Sequence, residues 1–260
     1  MRKVMAIFEK EFKSFFYTPM AYVVIAVFTA LTGIFFYLYL SNFVEAAFMD
    51  QIRAQQYRQM PSKFNVNLML IRPYFWNIAL ISLFTLPLIT MRLFSEEKKQ
   101  GTIELLYTAP MQSVHIVLGK FFAGLALYIV MLIPTMLFQS LLFSYGDPEF
   151  LPVLSGYFGL MLMGSAFISV GLFISTLTEN QIIAAIGGFA LALFLWVIGW
   201  GANYAGETLA PVLKYISIVT HFEDFAQGVI DSAHLAYYIL FSFFGIYLSL
   251  KSIESVKWRA

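Results

Sequence analysis

The sequence predicts an all-α, polytopic membrane protein, and three observations support this fold class. Apolar residues make up 60% of the chain, charged residues only 12%, and the mean hydropathy is +0.77; a soluble domain carries roughly 25% charged residues. Six apolar runs are each long enough to cross a hydrocarbon core, which needs about 20 helical residues. The runs are continuous rather than alternating, which favours helices over a membrane barrel.

The six predicted transmembrane helices are joined by polar connections without internal repeats, so residues 1–260 are predicted to form one domain. The predicted spans lie near Met20–Leu40, Pro73–Met91, Ile116–Tyr145, Leu151–Leu177, Ile182–Gly201 and Ala233–Leu250. Lys120, near the start of the third run, is assigned to the cytoplasmic side, and no Asp, Glu, Lys or Arg lies deeper in any run. Carriers driven by ion gradients usually keep ionisable groups at membrane depth, so we expect energy to arrive from outside the membrane.

Residues 1–17 are predicted to form an amphipathic helix at the membrane interface. Apolar residues occupy one face and basic residues the other, and Glu11 falls inside the apolar arc. Glu11 either pairs with a cation near the headgroups or remains exposed, and the pattern leaves both alternatives open. Pro19 disfavours helical backbone at Thr18, so the helix is predicted to end there.

The distribution of Lys and Arg predicts the orientation of the chain. With a cytoplasmic N-terminus, eleven of the sixteen basic residues lie on the inner side and five on the outer side, which places both termini in the cytoplasm. Residues 41–72 then form an extracytoplasmic loop, either a helical hairpin or a partner-binding surface. Residues 202–232, interrupted by Pro211 and Lys214, are predicted to form re-entrant or interfacial half-helices before the last span.

The segment 92–112 concentrates charge between two apolar runs and is predicted to be a cytoplasmic docking element. Ser95 is a candidate helix N-cap, with Glu96 and Glu97 in the first turn and Lys98 following. Gly101 ends that helix, and Thr102 can cap a short second helix over Ile103–Tyr107. Ile103 and Leu105 supply apolar contacts and Glu104 a charge, which suits a groove on another protein; a solvated loop is the alternative.

Catalytic and cofactor motifs are missing from the sequence. It contains no His-Glu-x-x-His pair, no Gly-x-Ser-x-Gly turn, no Gly-x-x-x-x-Gly-Lys-Ser/Thr loop and no cysteine. His115, His221 and His234 lack ligand spacing, and we interpret each as an interfacial polar residue. We therefore expect no catalytic, cofactor-binding or metal-binding residue, no enzymatic activity and no nucleic-acid partner.

The segment Phe94-Ser-Glu-Glu-Lys-Lys-Gln-Gly-Thr-Ile-Glu-Leu-Leu-Tyr-Thr-Ala-Pro110, followed by Ile116-Val-Leu-Gly-Lys-Phe121, resembles the signature of ABC-2-type ABC transporter permeases. Lys10-Glu11-Phe12 and Thr18-Pro19 also resemble the amphipathic elbow helix of that family. The layout of the whole chain is similar: an elbow helix, six spans, a coupling helix between the second and third spans, and re-entrant helices before the last. Within the family it most resembles the gliding-motility-associated and copper-maturation permease branch.

The resemblance implies a permease subunit of an ATP-driven transporter in the bacterial inner membrane. Two such subunits, identical or related, would bind two cytoplasmic ABC ATPases, which would hold ATP and Mg²⁺ themselves. By correspondence with the family's motif, the residues that would contact the ATPase are Thr102, Ile103, Glu104 and Leu105. The residues that would support this contact are Glu96, Glu97 and Lys98. Glu11, Phe12 and Pro19 would belong to the elbow helix.

Two other classes of function remain open at this stage. The chain could be a structural membrane anchor that passes ATPase-driven motion to an extracytoplasmic accessory protein without moving a solute; the loop 41–72 and the lack of polar groups inside the spans favour this alternative. An intramembrane enzyme is disfavoured by the missing motifs.

Overall fold

A computed structural model of the chain describes residues 2–57, 65–102, 111–145 and 148–257. These residues form helices and connecting turns, with no strand among them. A π-helical turn, Asn67–Ile71, leads directly into the third helix. The helices are α1 Arg2–Tyr17, α2 Pro19–Tyr57, α3 Arg72–Thr90, α4 Arg92–Lys99, α5 Ser113–Tyr145, α6 Phe150–Leu177, α7 Gln181–Gly201, α8 Ala210–Ile216, α9 Ile218–Ala226 and α10 Ser232–Lys257.

Six helical stretches in the described part of the chain are long and apolar enough to cross a membrane. They correspond to the six predicted spans, and the all-α polytopic fold is confirmed. The stretches built on α3, α5 and α6 are mostly buried within the chain, whereas those of α2, α7 and α10 keep most of their surface outside. The bundle therefore consists of three inner and three outer helices.

The first span continues much further as a helix than the hydropathy predicts. It was expected to end near Leu40, but α2 runs for 39 residues to Tyr57, through the first half of the predicted loop 41–72. Residues 58–64 of that loop lie outside the described part. The polar end of α2 is rich in Ala and Gln, which have high helix propensity. Hydropathy marks the edge of the hydrocarbon rather than the end of the helix.

Helix α6 is the centre of the bundle and contacts α3, α4, α5, α7, α9 and α10. Its small residues explain this position, because they let neighbouring helices approach closely without a hydrophobic driving force. A Cβ atom added at Gly156 would lie 2.2 Å from the Phe75 ring on α3, and one at Gly164 would lie 2.2 Å from the Tyr128 ring on α5. On the α7 side, a Cβ at Gly188 would meet the Gly171 Cα at 3.6 Å.

Neutral polar side chains link the helices inside the bundle, which corrects the expectation that the spans lack polar groups. The side-chain hydroxyls of Tyr128 on α5 and Ser82 on α3 form a hydrogen bond, with their oxygens 2.9 Å apart. Other such links join α5 to α6 through Thr135 and Tyr157, at 3.1 Å, and α6 to α10 through Ser165 and Ser242, at 2.8 Å. Ser82, Thr135 and Ser165 also donate to carbonyls of their own helices, so a composition count does not reveal these links between helices.

Replacing Tyr128 with Phe is expected to destabilise the fold slightly. The substitution removes the bond to Ser82 but keeps the ring, and side-chain hydrogen bonds between membrane helices contribute about 0.6 kcal/mol on average. Thermal unfolding in detergent would measure the loss. Tyr204, which is 93% exposed, gives a matched control, and an equal loss for Tyr204→Phe would contradict the assignment.

Candidate functional site

Lys120, at the start of α5, is a buried charge held between two carboxylates. Its side chain is 1% exposed, and its Nζ lies 3.0 Å from a carboxylate oxygen of Glu11 on α1 and 3.0 Å from one of Glu97 on α4. These are ion-pair distances, although the angles fall outside those of directed hydrogen bonds. The Phe94 ring lies 5.0 Å from the same Nζ. Lys120 therefore links three helices at one point.

Lys10 completes the cluster from the solvent side. Its Nζ lies 3.5 Å from Glu11 and 3.2 Å from Glu97. Burial lowers the pKa of Lys10, but the charges of Glu11 and Glu97 outweigh it and raise the pKa above the ordinary value. We call Lys10, Glu11, Glu97 and Lys120 the ion-pair joint; its two cations and two anions balance, as burial of charge requires.

The position of Glu11 in the apolar arc of α1 is explained by this joint. Glu11 is one helical turn from both Ile7 and Phe15, and all three side chains are buried. Gly119 on α5 allows the approach of α1, because a Cβ there would lie 2.7 Å from the Ile7 Cβ. The pairing alternative left open by the sequence is the one that the structure shows, and the cation is Lys120.

Helix α4 is fastened to the bundle by two further contacts. Arg92 forms an ion pair with Glu96, at 2.8 Å, and donates to the Thr18 hydroxyl at the bend between α1 and α2, also at 2.8 Å. At the other end, Lys98 donates to the Thr176 carbonyl, in the last turn of α6, at 2.6 Å. Movement of α4 would thus act on α1, α2, α5 and α6 together.

Ser95 does not cap a helix, contrary to the expectation from sequence. Helix α4 begins at Arg92, one residue after α3 ends, because Met91 keeps a right-handed helical conformation. Ser95 is inside the helix, where its hydroxyl donates to the Met91 carbonyl. Leu93 and Phe94 are buried, so packing continues the helix through the position where a cap was predicted.

Gly101 ends α4, as predicted. Its φ of +69° is a conformation that glycine adopts without strain. The next amide, of Thr102, donates to the Glu97 carbonyl at 3.0 Å, a Schellman-type helix end. Ile103, Glu104 and Leu105 lie outside the described residues, so their predicted contacts stay predictions.

The elbow residues lie at the joint and beside it. Phe12 packs between Phe8 and Phe16, with ring centroids 5.7 and 5.2 Å away. Pro19 is the first residue of α2, and Thr18 is the bend before it. A cavity of about 390 Å³ opens beside the joint. It is lined by α1, by α4 and the turn that follows it, and by Lys120, and its lining includes Ser14, Tyr17, Arg92, Glu96, Gln100 and Thr102.

Two associations were missed from the sequence. Lys120 was counted only as a cytoplasmic charge, although a lone Lys in the third apolar run and a lone Glu in the apolar arc of α1 are a signal of pairing. His221 and His234 were interpreted as separate interfacial residues, yet their rings meet, with centroids 4.8 Å apart. They lie 13 positions apart in sequence, and no helical periodicity links α9 to α10.

The fold and the joint define a multi-pass helical membrane protein whose amphipathic N-terminal helix is locked to a charged segment between the second and third spans. The family model for ABC-2 family transporter proteins matches residues 5–250, and the chain belongs to this family of transporter membrane subunits. The predicted family is thereby confirmed. No curated protein matches the sequence.

Proposed function

We propose that the chain is the permease subunit of an ATP-driven ABC transporter in the bacterial inner membrane, with both termini cytoplasmic. Two cytoplasmic ATPases bind ATP and Mg²⁺, and a second permease subunit, identical or related, completes the complex. The chain itself is not an enzyme. The observation that carries the proposal is the buried Lys120, which joins α1 and α5 to the segment expected to dock the ATPase.

The geometry supports a mechanical role for α4. In the proposed cycle, ATPase closure pushes on residues 102–105, and Gly101 lies between them and α4. Glu97 and Lys98 then pass the displacement to Lys120 on α5 and to the end of α6. Because Glu11 is held by the same Lys120, the elbow helix moves with the bundle rather than independently. The result is a conformational change across the membrane that drives export.

A second candidate function is transmission of motion to an extracytoplasmic partner without solute transport. The length of α2 favours it: 39 helical residues extend about 58 Å at 1.5 Å per residue, whereas the hydrocarbon core is about 30 Å thick. The surplus gives an accessory protein a rigid surface outside the membrane. Solute flux in reconstituted vesicles distinguishes the two functions.

Truncating Ile103 and Glu104 to Ala is expected to uncouple the ATPase while the permease still folds. Interface anchors typically contribute about 2 kcal/mol each, so ATPase association should weaken at least about tenfold. Co-purification in mild detergent and ATPase activity in vesicles would measure the effect. Glu9→Ala, on an exposed face of α1, is the control; unchanged association and unchanged transport in the double variant would refute the proposal.

A further inference from the structure

His221 on α9 and His234 on α10 face each other in an arrangement that needs a proton. Their Nδ1 atoms are 2.6 Å apart. The His221 Nε2 lies 2.8 Å from the Tyr215 carbonyl, and the His234 Nε2 lies 2.8 Å from the Asp224 carboxylate. A carbonyl and a carboxylate only accept hydrogen bonds, so both Nε2 atoms must carry hydrogen.

This assignment leaves both Nδ1 atoms without hydrogen when the two rings are neutral, because neutral imidazole carries one hydrogen on nitrogen. Two lone pairs would then meet at hydrogen-bond distance and repel. One additional proton resolves the conflict: one ring becomes imidazolium and donates from Nδ1 to the other. The observed contact therefore describes a singly protonated pair.

The surroundings favour one proton on the pair rather than two. His221 is 5% exposed, and this burial lowers its pKa. The bond to the Tyr215 carbonyl opposes the shift, and the nearby His234 adds to it. Asp224 faces His234 and stabilises positive charge there. Burial thus disfavours a second proton on His221, and the pair holds one proton rather than two. The Tyr237 ring stacks on His221 at 3.7 Å, and Tyr215 and Tyr238 also border it.

The remaining charged groups near the pair are already engaged or lie to one side. Arg72, at the start of α3, pairs with Glu223 on α9 at 2.9 Å. Asp231 precedes α10, and its carboxylate accepts a hydrogen bond from the Ala233 amide at 2.8 Å. Asp224, Asp231 and His234 bring ligand atoms within 4.8 Å of one another, but the His234 Nε2 already bonds to the Asp224 carboxylate, and we do not assign a metal there.

The pair sits where the two short helices meet the last span. Tyr237 and Tyr238 donate to the carbonyls of Ile216 and Ile218, each at 2.7 Å, and so anchor the junction of α8 and α9. Tyrosine hydroxyls keep their protons throughout the range in which histidine titrates. Gly228, with φ of +90°, lies in the connection to α10. The contact between the two histidines thus depends on a proton, whereas the tyrosine hydrogen bonds beside it do not change with pH in this range.

We propose that His221 and His234 form a binding site for one proton that closes α9 against α10 and opens when the proton is lost. At low pH, one proton lies between the two Nδ1 atoms and holds the rings together. At high pH this proton is lost, and repulsion between the two Nδ1 lone pairs separates α9 from α10. The site lies at the opposite end of α6 from the ion-pair joint, because Gly228 packs on Pro152 whereas Lys98 bonds to Thr176. It does not depend on the proposed ATPase coupling.

Distance measurements between spin labels would test this site on the full chain in lipid vesicles. The sequence has no cysteine, so Gln227→Cys at the end of α9 and Ala236→Cys on α10 introduce unique labels at exposed positions. We expect the label distance to lengthen between about pH 5 and about pH 8. The shift should be lost in His221→Gln and in His234→Gln, and retained in His115→Gln and in the presence of a metal chelator.

Histidine-selective ¹⁵N labelling of His115→Gln provides a direct readout of the proton, since only the pair then contributes signals. Both rings should carry hydrogen on Nε2, with one further shared hydrogen on Nδ1 at low pH that is absent at high pH. Four outcomes would each overturn the proposal. The label distance could stay constant, its change with pH could survive in both glutamine variants, the chelator could abolish that change, or a neutral ring could carry its hydrogen on Nδ1.

Discussion

Replacing Lys120 with Met is expected to destabilise the protein by about 3–5 kcal/mol, because it leaves two buried carboxylates without their buried cation and with only Lys10, on the solvent side, to balance them. Glu11 and Glu97 have side chains only 11% and 13% exposed, and Lys10 contacts both from the solvent side. Removing one partner of a buried ion pair is far more costly than removing the whole pair. Thermal unfolding in detergent and the yield of folded protein would measure the effect.

Two controls for Lys120→Met are available, one on the exposed face of α1 and one within the ion-pair joint. Lys13→Met breaks the Glu9–Lys13 pair on α1, where both side chains are about 60% exposed. This change should not alter the stability measurably. Adding Glu11→Gln and Glu97→Gln to Lys120→Met should restore most of the stability. If this triple variant remains as unstable as the single one, lost packing rather than unpaired charge is responsible. Under the proposed function the triple variant folds but couples ATP hydrolysis poorly.

Gly164→Ala is the second large expected effect, because the added methyl group has no room. Its Cβ would lie 2.2 Å from the Tyr128 ring, which is fully buried and bonded to Ser82. Overpacking of this kind costs about 1–3 kcal/mol or more, and Gly164→Leu should prevent folding. Thermal unfolding and monodispersity in detergent would report both.

Gly188→Ala on α7 is the matched control for the effect of glycine itself. Its added Cβ would meet only ordinary contacts, at 3.6 and 3.8 Å, so the helix should gain up to about 1 kcal/mol from the lower backbone entropy of Ala. The double variant Gly164→Ala, Tyr128→Leu should lose less stability than the two single variants together, because removing the Tyr128 ring also removes the atoms that the new methyl group would strike. Strict additivity would contradict the close approach of α5 and α6.

The positions of the spans could be predicted from sequence because every span, inner or outer, is apolar along its own length, and hydropathy is a local property. The elbow helix could be predicted for a similar reason, since its two faces repeat with the helical period. The end of α2 could not, because the polar residues after Leu40 include strong helix formers that continue the helix into water.

Contacts between elements were beyond the sequence. Ser95 has the residue type of a cap, but burial of Leu93 and Phe94 keeps the helix going through it. Glu11 was recognised as anomalous, yet its partner Lys120 is more than a hundred residues away. The histidine pair depends on how α8 and α9 fold back on α10, and one sequence carries no signal of that packing.

The small residues of α6 determine which parts of the molecule can move. Neighbouring rings rest almost against its backbone at Gly156 and Gly164, so sliding α3 or α5 along α6 would drive side chains into main-chain atoms. Close-packed interfaces have discrete arrangements and do not deform gradually. Helix α10 is held in the same way, because Gly245 packs closely on Ser169 of α6. The three inner helices and α10 should therefore travel as one rigid body, and the conformational work of the protein falls to α2 and α7, whose outer surfaces the chain itself leaves uncovered.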